Sequence, residues 1–144
     1  ESNVSSKQDI YMKEKTKPIN ILVIEDEIMM KDDSISIAKT GKVGADVTAE
    51  EAKELAQLCA LNALAALNLV ADIDDVERIV RVVGYVNGAP GFVNQPAVIN
   101  GASELLLALW GDVKGKHARS AIGVAELPLN SPVEVELTFE LKKK

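Results

Sequence analysis

The sequence predicts an α+β fold, a two-layer sandwich in which two helices cover one face of a mixed β-sheet. Two stretches with apolar residues at helical spacing alternate with β-branched runs that are typical of strands. The length of 144 residues is that of one domain, and 47% apolar residues are enough for one core. Because strand–helix–strand connections cross over right-handed, both helices are expected on the same side of the sheet.

The chain divides into a polar entry segment and one domain. Residues 1–18 are polar and highly charged, apart from a short apolar cluster at residues 10–12 that favours an edge strand. Residues 19–144 form the single predicted domain.

The domain opens with a predicted hairpin. Ile19–Ile24 is a run rich in β-branched residues and apolar except for Asn20, which predicts a buried strand. Lys31–Ser34 has turn chemistry, and the residues beyond it alternate again. We therefore expect Asn20–Ala38 to form a hairpin.

A long amphipathic helix follows the hairpin. Thr48 and Glu51 have the spacing of a capping box, in which each side chain accepts a hydrogen bond from the other residue's backbone N–H. Apolar residues recur at helical spacing from Ala52, which predicts a helix to about Leu69. After an acidic turn, Val76–Val86 is typical of a strand.

The second half of the chain contains one more helix and two strands. Asn94 is the predicted N-cap of a helix that runs to about Trp110 and ends at Gly111. The final strands are predicted at His117–Leu127 and Val133–Leu141, the latter with clean alternation of apolar and polar residues. The sequence contains no third helix that could cover the other face of the sheet. We therefore expect an uncovered apolar face, which predicts self-association.

Composition excludes several functions. Sixteen Lys and Arg against 22 Asp and Glu give a net charge of −6, and five aromatic residues (one Trp, two Tyr, two Phe) are few for stacking on bases. One cysteine and one histidine allow neither an intrachain disulfide nor a thiolate metal cluster. We therefore expect a cytoplasmic protein with no nucleic-acid partner, no membrane association and no metal.

Several motifs resemble a known family. The stretch His117-Ala-Arg-Ser-Ala-Ile-Gly-Val-Ala-Glu-Leu-Pro, followed by Val133-Glu-Val-Glu, resembles the signature of the RidA/YjgF family. Thr40-Gly-Lys-Val-Gly, Leu58-Cys-Ala-Leu-Asn-Ala-Leu and Asn100-Gly-Ala-Ser are similar to its chorismate-mutase-like endoribonuclease subgroup. The resemblance extends from Thr40 to Leu141.

This resemblance implies a chorismate-mutase-like (YjgF-like) fold, a homotrimer, and ligand pockets between subunits. It also implies hydrolysis of small enamino and imino acids to 2-oxo acids and ammonia, without a cofactor. By the same resemblance, Arg119 holds the substrate carboxylate, Glu134 positions the hydrolytic water, and Asn100 lies near the pocket. A planar guanidinium suits this role because it binds a carboxylate bidentately and stays charged.

The first strand departs from the family pattern. Glu25-Asp26-Glu27 stands where the family has Ser-Gly-Gln, so Glu25 or Asp26 is expected near Arg119, where a carboxylate would compete with the substrate. Tyr11 is the counterpart of a pocket tyrosine, and Ala121 stands where some members have cysteine. These four residues are assigned to the substrate-binding site.

Each candidate also has a structural interpretation. Arg119 can form an ion pair at a strand edge, and at least one of Glu134 and Glu136 can be a solvated side chain. Cys59 on the apolar helix face is expected to be a small core residue, and His117 to serve a surface or hydrogen-bonding role. The alternative function is a non-catalytic trimer that binds a small carboxylate metabolite. Ribonuclease activity is the weakest hypothesis, because the chain has no histidine pair and is acidic.

Overall fold

The computed structural model describes the backbone of residues 20–26, 30–31 and 34–35, and residues 39–143 with their side chains. The elements run in the order β1 (Asn20–Asp26), β2 (Met30–Lys31), β3 (Ser34–Ile35), α1 (Ala49–Val70), β4 (Val76–Asn87), α2 (Gln95–Lys114), β5 (Ala118–Val124) and β6 (Val133–Leu141), with 3-10 helices at Ile73–Asp75 and Pro128–Asn130. The predicted order of strands and helices is confirmed.

The main sheet is mixed and has the strand order β1-β6-β4-β5. Strand β6 is antiparallel to both of its neighbours, whereas β4 and β5 are parallel and connected through α2. The hairpin predicted over Asn20–Ala38 is confirmed in part: its turn at Lys31–Ser34 joins two paired strands, but among the described residues β1 pairs with β6 at the end of the chain and not with either of them. The segment after β1 instead contributes a separate two-stranded ribbon, in which Lys31 pairs with Ser34.

Strand β6 supplies the centre of the core. Its apolar residues Val133, Val135, Leu137 and Phe139 are at most 1% exposed and alternate with half-buried polar residues. This confirms the alternation predicted from the sequence. Both helices contribute buried residues to the same core, on the same side of the sheet.

Helix α1 begins at the predicted capping box. The Glu51 N–H donates to the Thr48 hydroxyl at 3.1 Å, and the Thr48 N–H donates to the Glu51 carboxylate at 2.8 Å. Cys59 is buried in the core, as predicted, with its thiol 3.9 Å from the Val133 carbonyl oxygen. The last two residues of the helix, Leu69 and Val70, are apolar and exposed to solvent.

Helix α2 is held very close to its neighbours by two glycines. A Cβ on Gly84 of β4 would lie 2.2 Å from Ile99, and a Cβ on Gly101 would lie 2.0 Å from the carbonyl oxygen of Lys53 in α1. The predicted end at Gly111 needs correction. Gly111 does leave helical geometry, with φ of 70°, but a further turn extends the helix to Lys114. The predicted N-cap, Asn94, has the right position but makes no side-chain capping bond.

The sheet face opposite the helices, here called the far face, carries Val83, Tyr85, Ile122, Glu134 and Glu136. Ile122 is 46% exposed, whereas Val83 is only 6% exposed, so the apolar part of this face is open to solvent only in places. Self-association through the far face therefore stays a prediction. Among the described residues, neither helix is long and apolar enough to cross a membrane.

Candidate functional site

The structure places Arg119 beside helix α2. Arg119 pairs in register with Val82, whose side chain is fully buried under the helices, so Arg119 projects from the helix-covered side at the edge strand. Its Nη1 donates to the Asn100 Oδ1 at 2.7 Å and lies 3.4 Å from the Ser103 hydroxyl oxygen. Arg119 and Asn100, both assigned to the site from the family motifs, are thus in contact within one chain.

The motif Asn100-Gly-Ala-Ser explains how α2 reaches Arg119. Asn100 and Ser103 are three residues apart, so their side chains share one helix face. Ala102 is fully buried in the core, and Gly101 permits the close approach to α1. The two polar residues therefore face Arg119 while the two small residues between them fix the position of the helix.

His117 occupies a defined orientation next to this pair. Its Nδ1 lies 2.6 Å from the carbonyl oxygen of Gly115, and its Nε2 lies 2.9 Å from the Ser103 hydroxyl oxygen. Because a carbonyl only accepts, Nδ1 carries a proton, and Nε2 accepts the Ser103 hydroxyl proton in the tautomer in which Nδ1 alone is protonated. The hydrogen-bonding role predicted for His117 is confirmed.

These side chains line one open groove of about 330 Å³. We call it the Arg119 groove; its lining residues are Asn100, Ser103, Glu104, Leu107, Lys116, His117 and Arg119. The Glu104 carboxylate is paired with Lys53 at 2.9 Å. Among residues 39–143, no ion pair involves Arg119, so its guanidinium is held by two neutral oxygens and keeps its charge available.

Glu134 lies on the other side of the sheet. It pairs in register with Tyr85, which belongs to the far face, while the neighbouring Val133 and Val135 point into the core. One chain therefore does not bring Glu134 and Arg119 together. Their two side chains project from opposite faces of the sheet, and strand β4 lies between their own strands.

Glu25 and Asp26 end strand β1, at the opposite edge of the sheet from Arg119. Three inter-strand spacings separate β1 from β5, which is about 14 Å, so a contact with Arg119 inside one chain would need a long reach. The side chains of Glu25 and Asp26, and the whole of Tyr11, lie outside the described residues. Ala121 packs against the core beside Gly84, on the same sheet face as Arg119.

The sequence alone did not indicate Ser103 or Lys116 as site residues. The signal for Ser103 was its spacing of three residues from Asn100 in a motif that was already selected. Lys116 carried no signal of its own, because charged residues before a strand are common. Across residues 39–143, no three His, Cys, Asp or Glu side chains are grouped so that they could hold a metal ion.

Comparison with known proteins gives three close matches. A crystal structure of the protein Atu1372 from Agrobacterium tumefaciens, of unknown function, is 36% identical, with a TM-score of 0.76 over 90% of this chain and 84% of that one. A structure described as a putative endoribonuclease from Shewanella oneidensis is 28% identical, with a TM-score of 0.75 over 87% of this chain and 84% of that one. Protein TCP17 of Trypanosoma cruzi is 49% identical over 57 residues, 40% of this chain. The chain spans about a third (36%) of the length of this curated relative.

The family comparison covers most of the chain. Residues 33–141 match the family model described as "YjgF/chorismate_mutase-like, putative endoribonuclease". The match includes all residues of the Arg119 groove and Glu134, but not Tyr11, Glu25 or Asp26. We conclude that this chain belongs to the YjgF (RidA/YjgF) family and has its chorismate-mutase-like fold, as the motifs predicted.

Proposed function

We propose that this protein is an enamine/imine deaminase-like hydrolase that acts on small 2-imino and 2-enamino acids. The observation that carries the proposal is the Arg119 guanidinium, which lines an open groove and is held by Asn100 and Ser103 without an ion pair among residues 39–143. A substrate carboxylate would meet a positioned, uncompensated cation there.

The charges around the groove favour an anionic ligand. Lys116 adds a second positive charge to the lining, and Lys53 holds the Glu104 carboxylate at the rim. A charge-assisted hydrogen bond is worth about 1.5–3 kcal/mol, which corresponds to about 10- to 100-fold in affinity. This is enough to select a carboxylate over a neutral analogue, although the chain as a whole is acidic.

A complete pocket needs more than one chain under this proposal. Glu134 lies on the far face, and Glu25 lies at the sheet edge opposite Arg119. Either residue would therefore reach an Arg119 only from a neighbouring copy. This supports the homotrimer with pockets between subunits that the family resemblance implies. A particle of about 15 kDa in solution would contradict it, because a monomer cannot bring these residues together.

The test is hydrolysis of 2-aminoacrylate that is generated in the assay, followed by ammonia release. We expect Arg119→Ala to lower kcat/KM about 10- to 100-fold or more, because the carboxylate loses a bidentate partner. Arg78→Ala is the matched control, since the Arg78 guanidinium pairs with Glu140 on another part of the sheet. Equal rates for wild type and Arg119→Ala would overturn the hydrolase proposal.

A second candidate, a non-catalytic trimer that binds a small carboxylate metabolite, needs the Arg119 guanidinium but no Glu134 beside it. In one chain the predicted water-positioning carboxylate does not share a sheet face with Arg119. The binder predicts no ammonia release above the uncatalysed rate, but an increase in Tm with pyruvate that Arg119→Ala abolishes. A pyruvate-independent Tm in the wild type would contradict both candidates.

A further inference from the structure

The Arg119 groove contains an acid–base pair that the proposed function has not used. The Ser103 hydroxyl lies 2.9 Å from the His117 Nε2 and 3.4 Å from the Arg119 Nη1. His117 is in turn oriented by the Gly115 carbonyl at 2.6 Å from Nδ1. A hydroxyl that is hydrogen-bonded to an imidazole, which a carbonyl in turn holds in place, is an arrangement that can transfer a proton.

The pair lies where a bound substrate would react. Ser103 is only 7% exposed, so its hydroxyl is shielded from bulk water while it still lines the groove. Asn100 and Ser103 occupy Nη1, so a carboxylate would bind the remaining N–H groups of the Arg119 guanidinium, with its imino carbon in the groove that Ser103 also lines. Glu134 projects from the opposite sheet face, so in the same chain Ser103 and His117 are nearer to this carbon.

We propose that Ser103 and His117 form a proton relay that serves hydrolysis of an imino acid bound to Arg119. The proposal rests on the hydrolase function argued above. It assigns the acid–base step to groups that share the Arg119 groove within one chain.

The relay accounts for every proton in the reaction. Water forms a C–O bond to the iminium carbon, and the C=N electron pair moves to nitrogen. One proton of the added water then passes to the Ser103 oxygen, while the Ser103 proton passes to His117 Nε2. The resulting carbinolamine nitrogen recovers a proton from His117 through Ser103. The C–N bond then breaks with its electron pair on nitrogen, and the hydroxyl proton goes to the departing ammonia, which leaves a 2-oxo acid and ammonium.

A proton relay fits Ser103 better than a covalent role. Ser103 is in the interior of α2, where the backbone N–H groups around it are committed to helical hydrogen bonds. An acyl-enzyme, the usual covalent serine intermediate, does not arise from an imino carbon, and the interior of a helix has no free N–H donors to stabilise one. Transfer of a proton needs only the hydroxyl and its hydrogen-bonded imidazole.

The test separates proton transfer from positioning. His117→Gln keeps one donor for Gly115 and one acceptor for Ser103 but cannot carry a proton. We expect His117→Gln and Ser103→Ala each to lower kcat for imine hydrolysis about 100-fold or more, with KM within about three-fold of wild type because Arg119 and Asn100 still bind the carboxylate. Ser120→Ala, on the same strand as Arg119 but on the far face, is the matched control and should keep kcat.

A pH profile supplies the second readout. The charged groups that face His117 in the groove are Lys116, Glu104 and Arg119, and all three stay in place in these variants. A pH dependence of wild-type kcat that disappears in His117→Gln is expected, because glutamine cannot exchange a proton during turnover. Pyruvate-induced increases in Tm should survive in both variants, which shows that they are folded and bind.

The outcomes distinguish a failure of the relay proposal from a failure of the hydrolase proposal. Wild-type turnover above that of Arg119→Ala, together with an unchanged kcat in His117→Gln, would overturn the relay alone. Full rescue by Gln would assign His117 a positioning role only. Wild-type turnover equal to that of Arg119→Ala would overturn the hydrolase and the relay together.

Discussion

The Lys53 ammonium of α1 lies 2.9 Å from Oε2 and 3.0 Å from Oε1 of Glu104 in α2, at the rim of the Arg119 groove. Both side chains are substantially exposed, so this ion pair contributes little to folding, less than about 1 kcal/mol. Its effect on the groove is larger than its effect on stability, because it neutralises the acidic residue that faces a bound anion.

Lys53→Ala should therefore weaken the binding of pyruvate while Tm hardly changes. An unpaired surface carboxylate near the bound anion costs about 0.5–1 kcal/mol, or about a two- to five-fold rise in Kd. Titration calorimetry at low and high salt would measure it, since the difference should shrink as salt screens the repulsion. The double variant Lys53→Ala/Glu104→Gln should restore wild-type affinity, and failure to do so would contradict the electrostatic explanation.

Gly101→Ala should destabilise the protein although alanine is the better helix former. Helix propensity alone favours alanine by about 1 kcal/mol, but the new Cβ would lie 2.0 Å from the Lys53 carbonyl oxygen, which is backbone and cannot rotate away. Overpacking of this kind costs about 1–3 kcal/mol even after relaxation. We expect a net loss in the free energy of unfolding, measured by urea denaturation.

A matched control for Gly101 is Gly123→Ala. The atom nearest to a Cβ there is the amide nitrogen of Gln95, 2.9 Å away at the end of a flexible side chain. This variant should change the free energy of unfolding by less than about 0.5 kcal/mol. A stabilising effect of Gly101→Ala would show that the two helices can separate at little cost.

The sequence predicted where the strands and helices lie better than it predicted which strands pair with each other. The Ile19–Ile24 run indicated a strand, but β-branched residues do not specify which strand they pair with, and β1 joins β6 from the other end of the chain. Arg119 and Asn100 were both selected through the family motifs. The contact of Ser103 with His117 depends on how α2 packs against β5, and that packing is set by Gly84 and Gly101 rather than by the two residues themselves.

The capping box of α1 predicts a pH-dependent contribution to stability. Hydrogen bonds from the Lys39 side chain, and then from the Thr48 backbone, lower the pKa of Glu51 below its ordinary value of 4.5. A group whose pKa is lower in the folded state stabilises the protein above its unfolded pKa, and this contribution is lost as pH falls through the folded value. The stabilisation by Glu51 is therefore present at neutral pH and disappears in acid.

Glu51→Gln tests this contribution, because glutamine keeps the capping geometry and removes the charge. We expect Tm at pH 7 to fall by no more than about 3 °C, since the pair with Lys39 is exposed. The gap between wild type and variant should close as pH drops below about 4. A gap that is constant from pH 3 to pH 7 would show that the carboxylate charge contributes nothing.

Leu129 offers a test of backbone strain next to the last strand. It is 62% exposed and has φ of 56° and ψ of 23°, the left-handed region that a leucine adopts at a cost of about 1–2 kcal/mol. Asparagine tolerates this conformation better, so Leu129→Asn should raise the free energy of unfolding by about 0.5–1 kcal/mol.

Leu69→Asn is the matched control, because Leu69 is also exposed but has ordinary helical geometry, where asparagine should be neutral or slightly destabilising. If both variants raise the urea midpoint equally, the gain comes from removing an exposed apolar side chain and not from relief of strain. If Leu129→Asn alone destabilises the protein, the leucine side chain makes a contact between chains that outweighs its backbone strain.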